Sequence, residues 1–232
     1  MSRDDQKQAA ARAAVALVQD GMVVGLGTGS TATFAIDALA ERVRQGLRIV
    51  GIPTSEHSAA QARAASIPLT TLEDHHRIAL TIDGADEIAR GSLDLIKGLG
   101  GALLREKIVA AASDRLVIVA DAGKVVDRLG TGTPVPVEVV PFGWQTTAER
   151  LARLGADPVL RRDGAGQPFR TDGGNLILDC GFGLIADAHA LEAALSGVIG
   201  VVETGLFVGI AEMALVADDE VVHRLTRDTA AG

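Results

Sequence analysis

Short apolar runs alternate with longer segments of helical periodicity along the first 121 residues. Strands are predicted where the apolar runs are short, at 23–26, 47–52, 78–82 and 115–121. Helices are predicted where apolar residues recur every three or four positions, at 4–19, 34–46, 55–66 and 100–113. Strands that alternate with helices are typical of a parallel sheet with helices on both faces. We therefore predict an α/β fold with a Rossmann-like sheet.

The pattern changes after about residue 130. The order becomes strand, helix, strand, strand, helix, strand, over segments 134–140, 144–155, 157–162, 175–180, 188–197 and 198–207. This order is typical of a ferredoxin-like unit. We predict that residues 131–204 form a small ferredoxin-like α+β domain. Residues 1–130 and 205–232 would then form the Rossmann-like domain, to which the apolar tail after residue 205 returns.

Composition and charge exclude several classes of protein. The net charge is −8 and no run of Lys or Arg occurs, which argues against a nucleic-acid partner. No unbroken run of about 18 apolar residues is present, so no membrane span is expected. Cys180 is the only cysteine, which excludes an internal disulfide and a structural cysteine metal site. The first residues lack a signal-peptide pattern, and we expect a cytoplasmic protein.

A glycine-rich turn follows the first predicted strand, in "VVGLGTGSTATF" at 23–34. Three glycines alternate with single residues from Gly25 to Gly29, and hydroxyls follow at Thr28, Ser30 and Thr31. Unpaired N–H groups at a helix amino terminus attract phosphate. The spacing is G-x-G-x-G instead of the dinucleotide G-x-G-x-x-G, and no ribose-binding acid ends the second strand. A monophosphate fits best, while a nicotinamide cofactor and a turn without ligand stay open.

A second hydroxyl-rich turn follows the second predicted strand, at Thr54, Ser55 and Ser58. Both turns lie at the carboxyl ends of strands, where open α/β sheets bind their ligands. Because an anionic ligand would be repelled by the overall charge, its binding has to depend on local donors.

Acidic side chains follow the third predicted strand, in "TIDGADEI". Asp83 and Asp86 are separated only by Gly84 and Ala85, which leaves room for a small ligand. The same residues are compatible with an Asx turn and a helix cap. The next segment, "LIKGLGGALLREK", adds Lys97, a glycine run and a helix.

Glu106 lies on that predicted helix without an ion-pair partner of its own. Its neighbours three and four positions away are apolar: Ala102, Leu103, Val109 and Ala110. One interpretation is a solvated residue near the positive end of the helix dipole. The other is a partly desolvated carboxyl whose raised pKa suits proton abstraction.

The segments "GLGTGSTA", "TIDGADEI", "KGLGGALLREKI" and "ADAGK", in this order and spacing, resemble the type A family of ribose-5-phosphate isomerases. The resemblance covers nearly the whole chain. It implies an aldose–ketose isomerase that interconverts D-ribose 5-phosphate and D-ribulose 5-phosphate in the non-oxidative pentose phosphate pathway. It also implies no cofactor, no metal, and a homodimer or homotetramer.

The resemblance transfers roles residue by residue. Glu106 matches the acid–base glutamate, and Asp83, Asp86 and Lys97 match the other catalytic side chains. The implied substrate-binding residues are Thr28, Gly29, Ser30, Thr31, Asp83, Gly84, Ala85, Asp86, Lys97, Gly98, Leu99, Gly100 and Lys124. Leu99 departs from the family pattern, which has glycine there in many members, and we expect its side chain to point away from the ligand.

The residue types suit this chemistry. Moving a carbonyl between C1 and C2 requires a proton to be taken from one carbon and returned to its neighbour through an enediolate, and one carboxylate can make both transfers. Fixed donors have to stabilise the oxyanion, and Lys97 and the amides of the glycine run are candidates. Two rival functions stay open: an aminosugar-phosphate deaminase on a related scaffold, and a sugar-phosphate sensor without catalysis.

Overall fold

The structure is a computed structural model that describes residues 1–227. Residues 228–232, the end of the predicted Rossmann-like domain, lie outside the described residues. The helices are α1 (Arg3–Val15), α2 (Ser30–Arg44), α3 (Glu56–Ala64), α4 (Leu103–Ala111), α5 (Trp144–Arg153) and α6 (Ala188–Ser196). The strands are β1 (Val23–Leu26), β2 (Val50–Pro53), β3 (Leu80–Asp83), β4 (Glu87–Ala89), β5 (Leu95–Ile96), β6 (Leu116–Asp121), β7 (Val125–Val126), β8 (Val135–Val139), β9 (Asp157–Leu160), β10 (Leu176–Gly181), β11 (Val201–Thr204), β12 (Leu206–Phe207), β13 (Met213–Ala217) and β14 (Val222–Thr226).

The largest sheet has six strands in the order β14-β13-β6-β3-β1-β2. Its strands pair in parallel except β14, which pairs with β13 in antiparallel fashion. The predicted parallel sheet is therefore confirmed. The tail of the chain supplies β13 and β14, as expected.

Helices cover both faces of this sheet because its central strands are apolar on both sides. On β6, Val117 and Val119 pack into the core formed with α1 and α2, whereas Ile118 and Ala120 pack into a second core on the opposite face. Ala110 of α4 belongs to that second core. The alternation follows from the two-residue period of a strand.

A second sheet has four antiparallel strands in the order β11-β8-β10-β9. The first strand of the segment lies between the third and the fourth, and α5 and α6 are its two crossovers. This arrangement confirms the predicted ferredoxin-like unit. Its core includes Ile96 and Leu206, which lie outside 131–204, and the division into domains at those residues stays a prediction.

The third sheet, in the order β12-β5-β4-β7, was not predicted. Its strands have only two or three residues, too few to show a period. The prediction of a single strand at 198–207 is wrong, because the segment divides at Gly205 into β11 and β12. The Gly205 N–H donates to the Pro136 carbonyl at 2.7 Å, and the Gly205 carbonyl accepts from Lys97 N–H at 2.9 Å. The chain thus crosses here from the second sheet to the third.

The first helix is shorter than its periodicity predicts. It ends at Val15 instead of Gln19. Arg42 of α2 donates through Nη1 to the carbonyls of Val15 and Val18, at 2.6 and 2.9 Å. Two tertiary hydrogen bonds therefore satisfy carbonyls of the last helical residue and of the turn that follows it.

A glycine in β1 allows α4 to approach the sheet. Gly25 pairs with Thr81 of β3, and a Cβ on Gly25 would lie 1.9 Å from Thr81 Oγ1 and 2.9 Å from Val109 Cγ1. Val109 lies one turn after Glu106 on α4. The absent side chain therefore helps to set the depth at which Glu106 is held.

We expect Gly25→Ala to lower the free energy of unfolding by roughly 1–3 kcal/mol, because the added methyl overpacks a closed site. Gly164→Ala is the matched control, since its position is exposed and no atom lies within 4 Å of an added Cβ. Urea unfolding of both variants measures the difference. Equal midpoints would contradict the assigned constraint.

Candidate active site

A pocket of about 410 Å³, its open mouth included, lies beyond the carboxyl ends of β1 and β3. It is lined by Thr28, Gly29, Ser30, Thr31, Gly84, Ala85, Asp86, Lys97, Gly98, Gly100, Glu106 and Lys124. Every lining residue belongs to the predicted site. Of the predicted residues, Asp83 lies beneath the pocket and Leu99 lies outside its lining.

Lys97 is the centre of a buried ion cluster. Its side chain is 2% exposed, and its Nζ lies 3.1 Å from Asp83 Oδ2 and 3.1 Å from Glu106 Oε1. Nζ also donates to the Gly84 carbonyl at 2.5 Å. These three acceptors match the three donors of an ammonium. Burial opposes the charge on Lys97, but the neighbouring carboxylates of Asp83 and Glu106 outweigh it and raise the pKa of Lys97.

Asp83, the last residue of β3, ties the two loops of the pocket together. Its Oδ1 accepts from Thr28 N–H at 3.1 Å and from Gly84 N–H at 2.8 Å, while Oδ2 faces Lys97. A Cβ on Gly27 would lie 2.2 Å from Asp83 Oδ1, so only glycine leaves space for this carboxylate. Burial raises the pKa of Asp83, and the ammonium of Lys97 limits the rise.

Glu106 reaches the pocket from the first turns of α4. Its side chain is buried, which contradicts the interpretation as a solvated residue. Oε1 binds Lys97, whereas Oε2 is buried and has no hydrogen-bond partner in residues 1–227. Burial raises the pKa of Glu106 to about 8, because the effect of Lys97 does not offset the loss of water. A carboxyl with one oxygen anchored and the other unpaired is suited to carry a proton.

Asp86 presents a second carboxylate to the pocket. Its Oδ2 accepts from Leu99 N–H at 3.0 Å, and its Oδ1 has no partner among the described residues. Of the two aspartates, Asp86 therefore has an oxygen available to a ligand, whereas both oxygens of Asp83 are occupied.

Leu99 points away from the pocket, as predicted. Leu99 is 45% exposed, and its φ is not positive. The positive φ values of the glycine run are at Gly98 and Gly101, where a side chain would be strained. Leu99 reaches the pocket only through its N–H, which Asp86 accepts.

The hydroxyls at Thr54, Ser55 and Ser58 do not line the pocket, contrary to the expectation from their turn. They surround Thr28 Oγ1 at 2.7, 2.8 and 3.0 Å respectively. Ser58 Oγ also donates to the Gly27 carbonyl at 2.6 Å. This hydroxyl cluster fixes the glycine turn from behind.

The amino terminus of α2 opens onto the same pocket. Its N-cap is Gly29 with φ +108°, and neither a capping side chain nor a first-turn acid occupies it. Within residues 1–227, the amides of Ser30, Thr31 and Ala32 have no protein acceptor. Lys124, in the short 3-10 turn after β6, also lines the pocket. Unpaired amides and a cation in one place form a site for an anion.

No group of three or more His, Cys, Asp or Glu side chains in residues 1–227 is placed to hold a metal ion. No helix within the same range is long and apolar enough to cross a bilayer.

Two contacts of the site were missed by sequence reasoning. Phe207 of β12 is buried, and its ring centroid lies 5.3 Å from Lys97 Nζ. Arg161 of the second sheet donates to the carbonyls of Gly98 and Leu99. Neither residue belongs to a local motif, and both reach the site through tertiary packing, so the sequence offers no signal for them.

The chain is similar to known proteins over nearly its whole length. The family model of ribose 5-phosphate isomerase A (phosphoriboisomerase A) matches residues 50–221. The chain is 63% identical over 230 residues to the ribose-5-phosphate isomerase A of Gloeobacter violaceus, covering 99% of this chain and 100% of that one. The corresponding protein of Synechococcus sp. is 57% identical, with 97% and 98% covered.

Solved structures extend the likeness to the fold. Ribose 5-phosphate isomerase A from Methanocaldococcus jannaschii superposes with a TM-score of 0.94 at 39% identity, covering 97% of this chain and 100% of that one. A D-ribose-5-phosphate isomerase in complex with phospho-erythronic acid gives 0.95 at 38% identity, with 98% and 100% covered. The chain belongs to the ribose 5-phosphate isomerase A family of isomerases.

Proposed function

We propose that this protein interconverts D-ribose 5-phosphate and D-ribulose 5-phosphate, in the non-oxidative branch of the pentose phosphate pathway, through an enediolate. The observation that carries the mechanism is the buried Glu106 carboxyl, with Oε1 on Lys97 and Oε2 unpaired. The substrate class is supported by the phospho-erythronic acid bound to a relative of the same family.

Glu106 acts as the acid and base. In the open-chain aldose, the ionised carboxylate removes the proton from C2, and the electron pair forms the C1–C2 double bond of the enediolate. Glu106 then returns that proton to C1. The hydroxyl proton of O2 leaves as the C2 carbonyl forms, and O1 gains a proton. C1 is reduced and C2 is oxidised within one molecule, so the reaction needs no external oxidant or reductant.

The remaining charged groups divide into two roles. Asp83 has both oxygens occupied, and we assign it to hold Lys97 and the two loops. Asp86 has a free oxygen, and we assign it to the sugar hydroxyls and to the hydroxyl proton that moves during ring opening. Both aspartates are predicted catalytic residues, but only Asp86 is free to contact substrate.

The phosphate belongs at the amino terminus of α2. Unpaired amides there, together with the hydroxyls of Ser30 and Thr31 and the cation of Lys124, supply the local donors that the negative chain requires. The sugar then extends toward Ala85, Gly100 and Glu106, which line the same pocket.

Association and location stay predictions. Family resemblance implies a homodimer or a homotetramer, and the single cysteine is the ground for expecting a cytoplasmic location. Exposed apolar residues lie in segments next to strands of the second sheet, at Val140, Phe142 and Ile199, and would suit contact between copies.

We expect Glu106→Gln to lower kcat by roughly 10²–10⁴-fold with little change in KM, because the amide keeps the shape but cannot accept the carbon-bound proton. Ketose formation from ribose 5-phosphate is the measurement. Glu41→Gln, on the exposed side of α2, is the control and keeps full turnover. Near-parental kcat in the Glu106 variant would exclude Glu106 as the base.

The raised pKa of Glu106 predicts a pH-dependent stability difference. Between its ordinary value of 4.5 and about 8, the folded chain retains a proton that the unfolded chain releases. Stability therefore falls as pH rises through this window, by at most about 1.4 kcal/mol per pH unit. Glu106→Gln lacks this proton, so we expect its stability relative to the parent to increase from pH 5 to pH 8. Parallel curves from urea unfolding would refute the buried, neutral carboxyl.

We expect Lys124→Ala to raise KM for ribose 5-phosphate about 10–100-fold, because a charged hydrogen bond to phosphate is lost. The inhibition constant of inorganic phosphate should rise in parallel, while kcat changes less. Lys7→Ala removes a lysine that pairs with Asp4 on α1 and serves as control. An unchanged KM would assign Lys124 a structural role.

A further inference from the structure

One guanidinium links the second sheet to the glycine run of the pocket, residues Gly98 to Gly101. Arg161, directly after β9, is 12% exposed at its side chain. Its Nε donates to Asp179 Oδ2 at 2.9 Å, and its Nη2 donates to Asp179 Oδ1. Its Nη1 donates to the carbonyls of Gly98 and Leu99 at 2.8 and 3.0 Å. One edge of the guanidinium is thus fixed by a carboxylate, and the other edge is directed at two successive peptides.

Because a peptide is planar, the hydrogen bonds from Arg161 to the two carbonyls also fix the direction of the N–H groups in the same peptides. In a trans peptide, the carbonyl of one residue and the N–H of the next point in opposite directions. The Gly98 carbonyl and the Leu99 N–H share one peptide. Arg161 binds that carbonyl, and the N–H reaches Asp86 Oδ2 on the pocket side. Arg161 therefore lies on one side of the Gly98–Leu99 peptide, and the pocket lies on the other.

The Leu99–Gly100 peptide is oriented in the same way. The Leu99 carbonyl, bound by Arg161, shares its peptide with the Gly100 N–H. That N–H has no acceptor in residues 1–227, and Gly100 lines the pocket. An unpaired amide beside Glu106 and Asp86 is a donor available to a ligand oxygen.

We infer that Arg161 is a positioning residue. By binding the carbonyls of Gly98 and Leu99, it directs the Leu99 N–H to Asp86 and the Gly100 N–H to the enediolate oxygen. The inference rests on the proposed function for the identity of that oxygen. Lys97 has its three donors occupied by Asp83, Glu106 and the Gly84 carbonyl, which leaves a need for this amide. The charge of the guanidinium behind the peptides also polarises them toward donation.

The test compares phospho-erythronic acid, which carries a sugar-acid chain as well as a phosphate, with inorganic phosphate alone. In Arg161→Met, we expect the inhibition constant of phospho-erythronic acid to rise at least about tenfold and kcat to fall by a similar factor. The inhibition constant of inorganic phosphate should stay within about twofold, because the α2 terminus is untouched. Arg162→Met is the matched control, since Arg162 is exposed and donates only within its own turn, to the Gly166 carbonyl.

Two outcomes would overturn the role of Arg161. One is an Arg161→Met protein whose affinity for phospho-erythronic acid and kcat both stay within twofold of the parent. The other is an equal loss for phosphate and for phospho-erythronic acid, which would indicate general collapse of the pocket.

A spectroscopic readout keeps the inference testable if the methionine variant does not fold. In the parent labelled with ¹⁵N-glycine, phospho-erythronic acid should shift the Gly100 amide resonance, and inorganic phosphate should not. Asp179→Asn keeps the size of the side chain at position 179 but removes the carboxylate that fixes the Arg161 guanidinium. This variant should reduce that shift. No response of Gly100 in the parent would overturn the inference. Absence of ketose formation by the parent, with the Gly100 response intact, would instead refute the proposed reaction.

Discussion

One ammonium held between two buried carboxylates is the interaction on which the site depends. Lys97, Asp83 and Glu106 are almost without solvent, so the ammonium of Lys97 is tolerated in the interior because carboxyl oxygens of the other two residues face it. The three residues come from different segments: after β5, at the end of β3, and on α4. Loss of Lys97 would leave the two buried carboxyl groups facing each other without a cation. The ion cluster therefore joins the large sheet, the third sheet and α4 into one unit.

Glycines make that cluster sterically possible. Gly27 leaves space for the carboxylate of Asp83, and Gly25 lets α4 approach β1. Gly205 lies where a Cβ would meet the Lys97 carbonyl at 2.3 Å, so the backbone of Lys97 can cross beside β12. Close backbone approach, more than left-handed geometry, explains these three positions. Glycine costs backbone conformational entropy on folding, and here the close approach that it allows brings the charged groups into contact.

Sequence patterns predicted the parts of the protein that depend on local periodicity. The parallel sheet and the ferredoxin-like unit follow from repeated apolar spacing, and the pocket residues lie in the motifs that carry the family resemblance, after β1, β3, β5 and β6 and on α4. The third sheet escaped prediction because two-residue strands carry no period. The roles of Ser58 and Arg161 escaped for another reason: each is defined by a partner distant in sequence, Gly27 and Gly98 respectively. Hydroxyls after a strand suit a ligand or a neighbouring loop equally well, and only tertiary contacts separate the two cases.

The proposed reaction also explains why the cluster carries an excess of negative charge. With Asp83, Glu106 and Lys97 all ionised, the cluster has a net charge of −1. When Glu106 takes the proton from carbon, that charge moves to the enediolate, and Lys97 stays beside both positions. The charge is transferred within the field of one fixed cation instead of being created, so little reorganisation is needed. A pKa of Glu106 near 8 suits this exchange, because a weakly acidic carboxyl is the stronger base toward carbon. The unpaired Gly100 amide then supplies what Lys97 cannot: a donor reserved for the oxygen that becomes negative.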